Sequence, residues 1–172
     1  GSTFNQSGGN INVDGSDGTT ANSVATGTSL VNLTASAPAN LNLTAGTFTI
    51  VDPHYGSSTS DYVLSINQST ANNNANANHT FKFGNGVSTT AGGHANGFYF
   101  YTYPGSYNYG LGSVVTDALT GTNRFVKSAG TTGVFGNFTV TSGEYQLSST
   151  HIINGNLVNN GTLTSTGFIA MG

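Results

Sequence analysis

The sequence contains no cysteine, so neither a disulfide framework nor a thiolate metal site is open to it. Charge is also scarce, since Asp, Glu, Lys and Arg make up 5% of the residues, against about 25% in ordinary domains. The basic residues are Lys82, Arg124 and Lys127. Three cations cannot neutralise a track of phosphates, which excludes a nucleic-acid partner.

Long apolar runs and helix formers are missing as well. No run approaches the ~18 residues of a membrane-spanning helix, so no membrane span is expected. Glu, Lys and Leu are rare, and no 3.6-residue periodicity is sustained, which argues against helices. Hydrophobic residues make up 35%, which is little for a compact globule. It is enough for stacked coils, because each coil buries only a thin inward stripe.

What the chain does contain is a repeated phrase. It consists of an apolar residue, a turn of Ser, Thr or Ala with Gly, and two apolar residues separated by one polar residue. The phrase occurs at residues 4–13, 41–50 and 138–147, with a clipped fourth copy at 163–169. Internal repetition of this kind indicates a stacked architecture, and repeat-like phrases near both termini suggest coils without caps.

Short alternating runs of Thr, Val, Ile, Phe and Tyr, bounded by Gly, Asn and Ser, predict strands. Residues 136–138 (Gly-Asn-Phe) recur nineteen positions on at 155–157 (Gly-Asn-Leu), and residues 31–35 resemble residues 41–45, ten positions on. Coils of about 19–25 residues match one rung of a parallel β-helix. The predicted fold is therefore all-β, a right-handed parallel β-helix.

The regularity is interrupted in the middle of the chain. We expect β-solenoid coils at residues 1–51 and 134–172, and irregular coils or an insert at 52–133. Residues 69–78 are rich in Asn and predict a protruding loop, and an aromatic strand follows. Insertions on solenoid turns are where specific function usually lies.

The phrases "FNQSGGNINV", "LNLTAGTFTI", "GNFTVTSGEYQL" and "INGNLVNNGTLTSTG" resemble the repeats of bacterial β-solenoid surface proteins. Examples are filamentous-haemagglutinin-like and autotransporter adhesins, and the Gly/Thr/Asn-rich secreted repeat proteins of the Bacteroidetes. The resemblance covers residues 4–51 and 134–172. It implies a secreted or surface-bound adhesive or filamentous element without enzymatic activity.

The clearest local signal for a binding surface is an aromatic run. Alternation places Phe98, Phe100 and Thr102 on one face and tyrosines on the other. A row of tyrosines can stack on sugar rings or anchor a protein contact, although a lateral interface or packing beneath the loop at 69–78 is the simpler explanation. The candidate residues are Tyr99, Tyr101, Tyr103, Tyr107 and Tyr109.

Other chemistry is weakly indicated. Asp14 and Asp17 flank Gly-Ser and are a weak Ca²⁺ candidate, with an Asp-Gly turn as the simpler reading. The four histidines lie far apart in sequence and are expected to be exposed or in loops; they are His54, His79, His94 and His151. No other metal site, cofactor or catalytic residue is expected.

These observations favour a non-enzymatic extracellular protein, either a unit of a surface adhesin or a subunit of a filament built by end-to-end stacking. Its partner would be a further copy, arranged head-to-tail or laterally, or the flanking repeats of a longer chain. The alternative is a carbohydrate-binding module that uses the tyrosine row and recognises surface glycans. A polysaccharide-cleaving β-helix enzyme is the remote alternative, since the acids are scattered.

Overall fold

The computed structural model describes most of the chain, namely residues 3–15, 29–33, 40–53, 62–66, 73–86, 97–102, 111–117, 125–130, 132–134 and 136–172. Within these ranges there is no helix, and the all-β class is confirmed. The strands are β1 (Thr3–Asp14), β2 (Val31–Asn32), β3 (Asn40–Asp52), β4 (Leu64–Ile66), β5 (Asn73–Ala75), β6 (His79–Phe83), β7 (Phe98–Thr102), β8 (Ser113–Asp117), β9 (Phe125–Ala129), β10 (Thr132–Val134), β11 (Phe138–Ser142), β12 (Glu144–Leu147), β13 (His151–Ile153), β14 (Leu157–Asn159), β15 (Thr162–Ser165) and β16 (Ile169–Met171).

The strands form three sheets, and the strands of the described residues pair in parallel. The seven-stranded sheet has the order β1-β3-β6-β8-β11-β14, with β5 beside β3. The six-stranded sheet has the order β15-β12-β9-β7-β4-β2, and the three-stranded sheet β10-β13-β16. From β8 onward the chain visits the seven-, six- and three-stranded sheets in that order, three times.

The nineteen-residue spacing is confirmed by the strand register. Phe138 pairs with Leu157 and Thr132 with His151. The ten-residue recurrence does not mark a coil, because Val31 pairs with Leu64 in the six-stranded sheet while residues 41–45 lie in β3 of another sheet. Similar short sequences there reflect a shared preference for strand rather than a structural repeat.

The repeated phrase stacks on itself, with one correction. The first two copies pair in register, with Phe4 opposite Leu41 and Val13 opposite Ile50. The third copy pairs with a segment that begins at Leu157, and Leu163 lies opposite Tyr145. The fourth copy therefore begins at Leu157, and the predicted start at residue 163 is wrong. The sequence favours 163 because the two apolar halves of the phrase look alike.

The glycine of the phrase has a left-handed backbone. The φ angles are +69° at Gly9, +94° at Gly46 and +75° at Gly143, a region that other residues adopt only at a cost. The first two also stack closely, since a Cβ at Gly46 would lie 2.5 Å from the carbonyl oxygen of Gly9. The turn therefore requires glycine both for its conformation and for its space.

The core consists of inward side chains stacked between neighbouring strands. The rings of Phe4, Phe48 and Phe81 follow one another at centroid distances of 6.5 and 5.7 Å. Across the interior, Phe83 of the seven-stranded sheet stacks on Phe100 of the six-stranded sheet at 4.9 Å. These contacts join the two larger sheets into one core.

The predicted insert contributes strands to the same sheets as the segments on either side of it, through β4 and β6 to β9. Part of the predicted loop at 69–78 is also strand. Asn73–Ala75 forms β5 and pairs with residues 41–43. Pairing of this kind uses backbone N–H and C=O groups, so a polar sequence can take part in it. Residues 69–72 lie outside the described residues, as do residues 54–61, 87–96, 103–110 and 118–124.

Two histidines lie inside the core, so the expectation that they are exposed is wrong for these two. His79 and His151 are both fully buried. The Nε2 atom of His79 lies 2.9 Å from Gln6 Oε1, and the hydroxyl of Tyr145 donates to His151 Nε2 at 2.8 Å. The sequence spacing of the histidines does not indicate that they have buried polar partners, because these partners are brought together only by the fold. His54 and His94 lie outside the described residues.

Burial lowers the pKa of each of these histidines to about 4. For His151, donation from Nδ1 to the Ser149 carbonyl at 3.2 Å opposes this shift in part. Both side chains are therefore neutral at neutral pH, since a charged imidazolium would lose its hydration in the core.

A glycine series tests the turn. Gly46→Ala should lower the free energy of unfolding by more than the ~1–2 kcal/mol that a left-handed residue costs, because its Cβ also meets the Gly8–Gly9 backbone. Gly9→Ala should show the conformational cost alone. Gly8→Ala, which meets nothing within 4 Å, is the near-neutral control. Urea unfolding measures all three, and an equal loss at Gly8 and Gly46 would contradict this account.

The histidines predict a pH dependence. The unfolded chain takes up these protons near pH 6.5 and the folded chain near pH 4, so the unfolded state binds more protons in between. Stability should be level above about pH 7 and should fall below it, by up to ~1.4 kcal/mol per pH unit for each histidine. Urea unfolding between about pH 7 and pH 5, above the ordinary carboxylate range, measures the slope. The double variant His79→Gln, His151→Gln should be flat there; an unchanged slope would refute the assignment.

Candidate binding surfaces

The predicted alternation of the aromatic strand is confirmed. In β7, Phe98, Phe100 and Thr102 are buried in the core, while Tyr99 and Tyr101 are half-buried on the outer face of the six-stranded sheet. The other candidate tyrosines, Tyr103, Tyr107 and Tyr109, lie outside the described residues.

A third tyrosine joins the two on the outer face. The ring of Tyr62 lies 5.0 Å from Tyr99 and 5.3 Å from Tyr101, and it is nearly parallel to the latter at 24°. Strict alternation before β4 would put Tyr62 on the inner face with Leu64. The chain instead bends at Val63, which is itself buried, and Tyr62 turns outward. The sequence offers no signal for this bend.

The ring faces of these tyrosines are thus already in contact with one another. Burial raises the pKa of Tyr62 and of Tyr99, and for Tyr62 the neighbouring Tyr99 and Tyr101 add to the shift. The phenols of Tyr62 and Tyr99 therefore remain protonated at neutral pH. Rings that already pack on one another are a weaker platform for sugar stacking than the open row that the sequence suggests.

Next to the tyrosine cluster, one position in each strand forms a polar column along the sheet. Tyr99 pairs with Lys127, Lys127 with Gln146, and Gln146 with Thr164. The ammonium of Lys127 lies 5.2 Å from the centroid of the Tyr99 ring, a cation–π contact. Neighbouring strands are ~4.8 Å apart, so the column extends over several coils.

A groove opens beside the far end of this column. Its volume is about 250 Å³, and it lies between Lys127 of β9 and the strands β12 and β15. Glu144 organises one wall, since its Oε1 accepts from Gln146 Nε2 at 3.1 Å and from the hydroxyl of Thr164 at 2.9 Å. The groove is thus lined by oriented polar groups, one cation, Leu147 and the apolar parts of these side chains.

The end of the molecule formed by β14, β15 and β16 is a second surface. Each of these strands is the edge of its sheet. Ile169 is in register with His151, and Met171 with Ile153, yet Ile169 is 37% and Met171 57% exposed. Residues that are buried one coil earlier are open here, because no described strand covers them. Phe168, which precedes β16, is 76% exposed.

The opposite end has the same character. β1 is the other edge of the seven-stranded sheet and β2 the other edge of the six-stranded sheet. Phe4, Ile11 and Val13 of β1 are in register with buried residues of β3 but are themselves only partly buried. Both ends thus present apolar side chains and a strand edge that no other described strand pairs with.

Of the two residues of the weak Ca²⁺ candidate, only Asp14 lies within the described ranges. Asp14 ends β1 and is in register with Asp52, while Asp17 lies outside the described residues. Within the described ranges, no group of three or more His, Asp or Glu side chains is placed to hold a metal ion.

Comparison with family models, with curated proteins and with solved structures finds no match to this chain. In the part of the chain that the structure describes, no helix has the length and hydropathy needed to cross a membrane. Function must therefore be inferred from the surfaces themselves.

The tyrosine cluster can be tested by a double-mutant cycle. Tyr62→Leu and Tyr101→Leu together should lower the free energy of unfolding by less than the sum of the single changes, with a coupling of ~0.5–1.5 kcal/mol, because they share one stacked contact. Tyr62→Leu combined with Val158→Ser on β14 serves as the control and should be additive. Additivity in both cycles would show that the stacking contributes nothing.

Proposed function

We propose that the chain is a β-solenoid, a right-handed parallel β-helix, and that it serves as a non-enzymatic structural or adhesive unit at the cell surface or in an extracellular filament. The solenoid is supported by the repeated passage of the chain through the three sheets in one order, with register offsets of about nineteen residues between the last passages. Right-handedness follows the strong preference of parallel crossover connections. The surface location follows from the resemblance to bacterial β-solenoid adhesins.

The observation that carries the structural role is the open end formed by β14 to β16. A coil here exposes three parallel strand edges and the side chains of Phe168, Ile169 and Met171. These large apolar side chains continue the buried stripe of the preceding strands, so covering them with a further coil would remove apolar surface from water. The natural partner is a surface that offers parallel edges of the same spacing.

The end formed by β1 and β2 of a second copy has these properties. Its strands run in the same direction within the same two sheets, so docking on β14 and β15 would continue the parallel pairing. Such a contact joins unlike surfaces and does not close on itself, so repetition builds a filament. The flanking repeats of a longer chain would cover the end in the same way.

The non-enzymatic role is supported by where the reactive groups lie. His151 and Tyr145 form a hydrogen-bonded pair, but both are fully excluded from solvent, so no substrate reaches them. Asp117 is bound to Lys82 at 3.0 Å and to the hydroxyl of Ser142 at 3.0 Å. The His151–Tyr145 pair and the Asp117–Lys82 pair are therefore assigned to stabilising the fold.

Electron microscopy and size-exclusion chromatography over a concentration series test the stacking. The purified chain should form filaments with a regular axial repeat. Phe168→Asp with Met171→Asp should abolish them and leave a folded monomer, because two charges would have to be buried at the contact. Thr141→Asp, an exposed position on the interior strand β11, is the matched control and should polymerise normally.

Two results would overturn this proposal in distinguishable ways. If the double variant polymerised as well as the control, the contact would not involve the β14–β16 end. If the unsubstituted chain remained monomeric at high concentration, stacking of separate copies would be wrong, and the adhesive role would have to depend on a single solenoid.

A further inference from the structure

The groove beside Lys127 has an unusual hydrogen-bonding balance. Its polar lining consists of Lys127, Gln146, Ser148, Thr164, Ser165 and Thr166. A hydroxyl carries one proton to donate and can still accept when that proton is in use. The direction of each existing hydrogen bond therefore determines what the groove offers to a ligand.

All four hydroxyls already donate within the protein. Ser148 donates to the carbonyl of Ser128, and Ser165 donates to that of Gly167 at 2.7 Å. Thr166 donates to the carbonyl of Leu147 at 3.4 Å, and Thr164 donates to Glu144. Ser165 Oγ also accepts from the Gly167 N–H at 3.1 Å and keeps one lone pair, while the other three hydroxyl oxygens remain as acceptors.

The amide of Gln146 adds a further acceptor. Its Nε2 uses one N–H to donate to Glu144 at 3.1 Å, which orients the amide and leaves Oε1 as an acceptor and the second N–H as a donor for a ligand. The groove thus offers a row of neutral acceptors. A complementary ligand has to supply several O–H or N–H donors.

One strong donor stands among these acceptors. The ammonium of Lys127 is positioned by its contact with the Tyr99 ring. The other lysine, Lys82, is already engaged, since its Nζ lies 3.0 Å from Asp117. A cation–π contact leaves N–H groups of Lys127 available for an anion.

We propose that this groove binds an acidic saccharide, with the sugar hydroxyls donating to the acceptor row and one carboxylate or sulfate group on Lys127. The volume of about 250 Å³ lies just below the ~300–1,000 Å³ of pockets that enclose drug-sized ligands. A single acidic ring occupies the groove, and a longer chain continues along the polar column toward Tyr99. The tyrosine cluster contributes hydroxyls and ring edges at that end.

Other ligands match this lining less well. Inorganic phosphate would satisfy Lys127 but carries few donors for the acceptor row. A neutral sugar would satisfy the acceptors but leave the ammonium without an anion. An apolar peptide would leave the polar lining unpaired, which is unfavourable wherever water is excluded.

Isothermal titration calorimetry of the full chain at low salt tests the proposal. The probes are a tetrasaccharide that contains glucuronate, the same tetrasaccharide with a sulfate ester in place of the carboxylate, and the neutral glucose tetrasaccharide. The acidic probes should bind about tenfold or more tightly than the neutral one, and Lys127→Gln should remove that advantage. Lys127→Arg should keep it, as should Lys82→Gln, the matched control on another sheet.

The three tetrasaccharides and the lysine variants give distinct outcomes. Binding of the glucuronate probe, of the sulfated probe or of both supports an anionic sugar and identifies the acidic group. Equal affinity for the neutral tetrasaccharide, undiminished binding by Lys127→Gln, or no binding of any probe would overturn the proposal. Circular dichroism of each variant confirms that any loss does not come from unfolding.

Discussion

Parallel pairing of backbone between strands from successive passages of the chain is the constraint on which the rest of this structure depends. A parallel strand can satisfy its N–H and C=O groups only through strands from a preceding and a following passage of the chain. In-register pairing then places similar residues directly above one another. The rings of the register partners Phe48 and Phe81 lie 5.7 Å apart in this way, and Asn42 donates to the side chain of its partner Asn5 at 2.7 Å.

This arrangement explains how a chain with 5% charged residues holds together. Its cohesion comes from backbone ladders, a narrow apolar stripe and polar side chains that find partners inside the core. Tyr145 with His151, and Gln6 with His79, are buried pairs of this kind. They are tolerated because burial keeps the imidazoles neutral, as their lowered pKa values indicate.

The same pairing produces two kinds of surface with different chemistry. Along the sheets, outward side chains form columns in which each coil contributes one residue, as from Tyr99 through Lys127 to Thr164. At the two ends, the pairing among the described strands stops while the apolar stripe continues, so Phe4 and Met171 are incompletely covered. The columns suit an extended polar ligand, whereas the ends suit another coil.

The sequence by itself determined the all-β class, the alternation of Phe98 and Phe100 with Tyr99 and Tyr101, and the nineteen-residue offset of Phe138 and Leu157. These are local properties, since side-chain alternation and repeat length are present in the linear chain. Only the tertiary structure decided the outward turn of Tyr62, the burial of His151, the register of the last coil and the groove beside Lys127. Each of these depends on which strands become neighbours, and a residue many positions away in sequence supplies the contact.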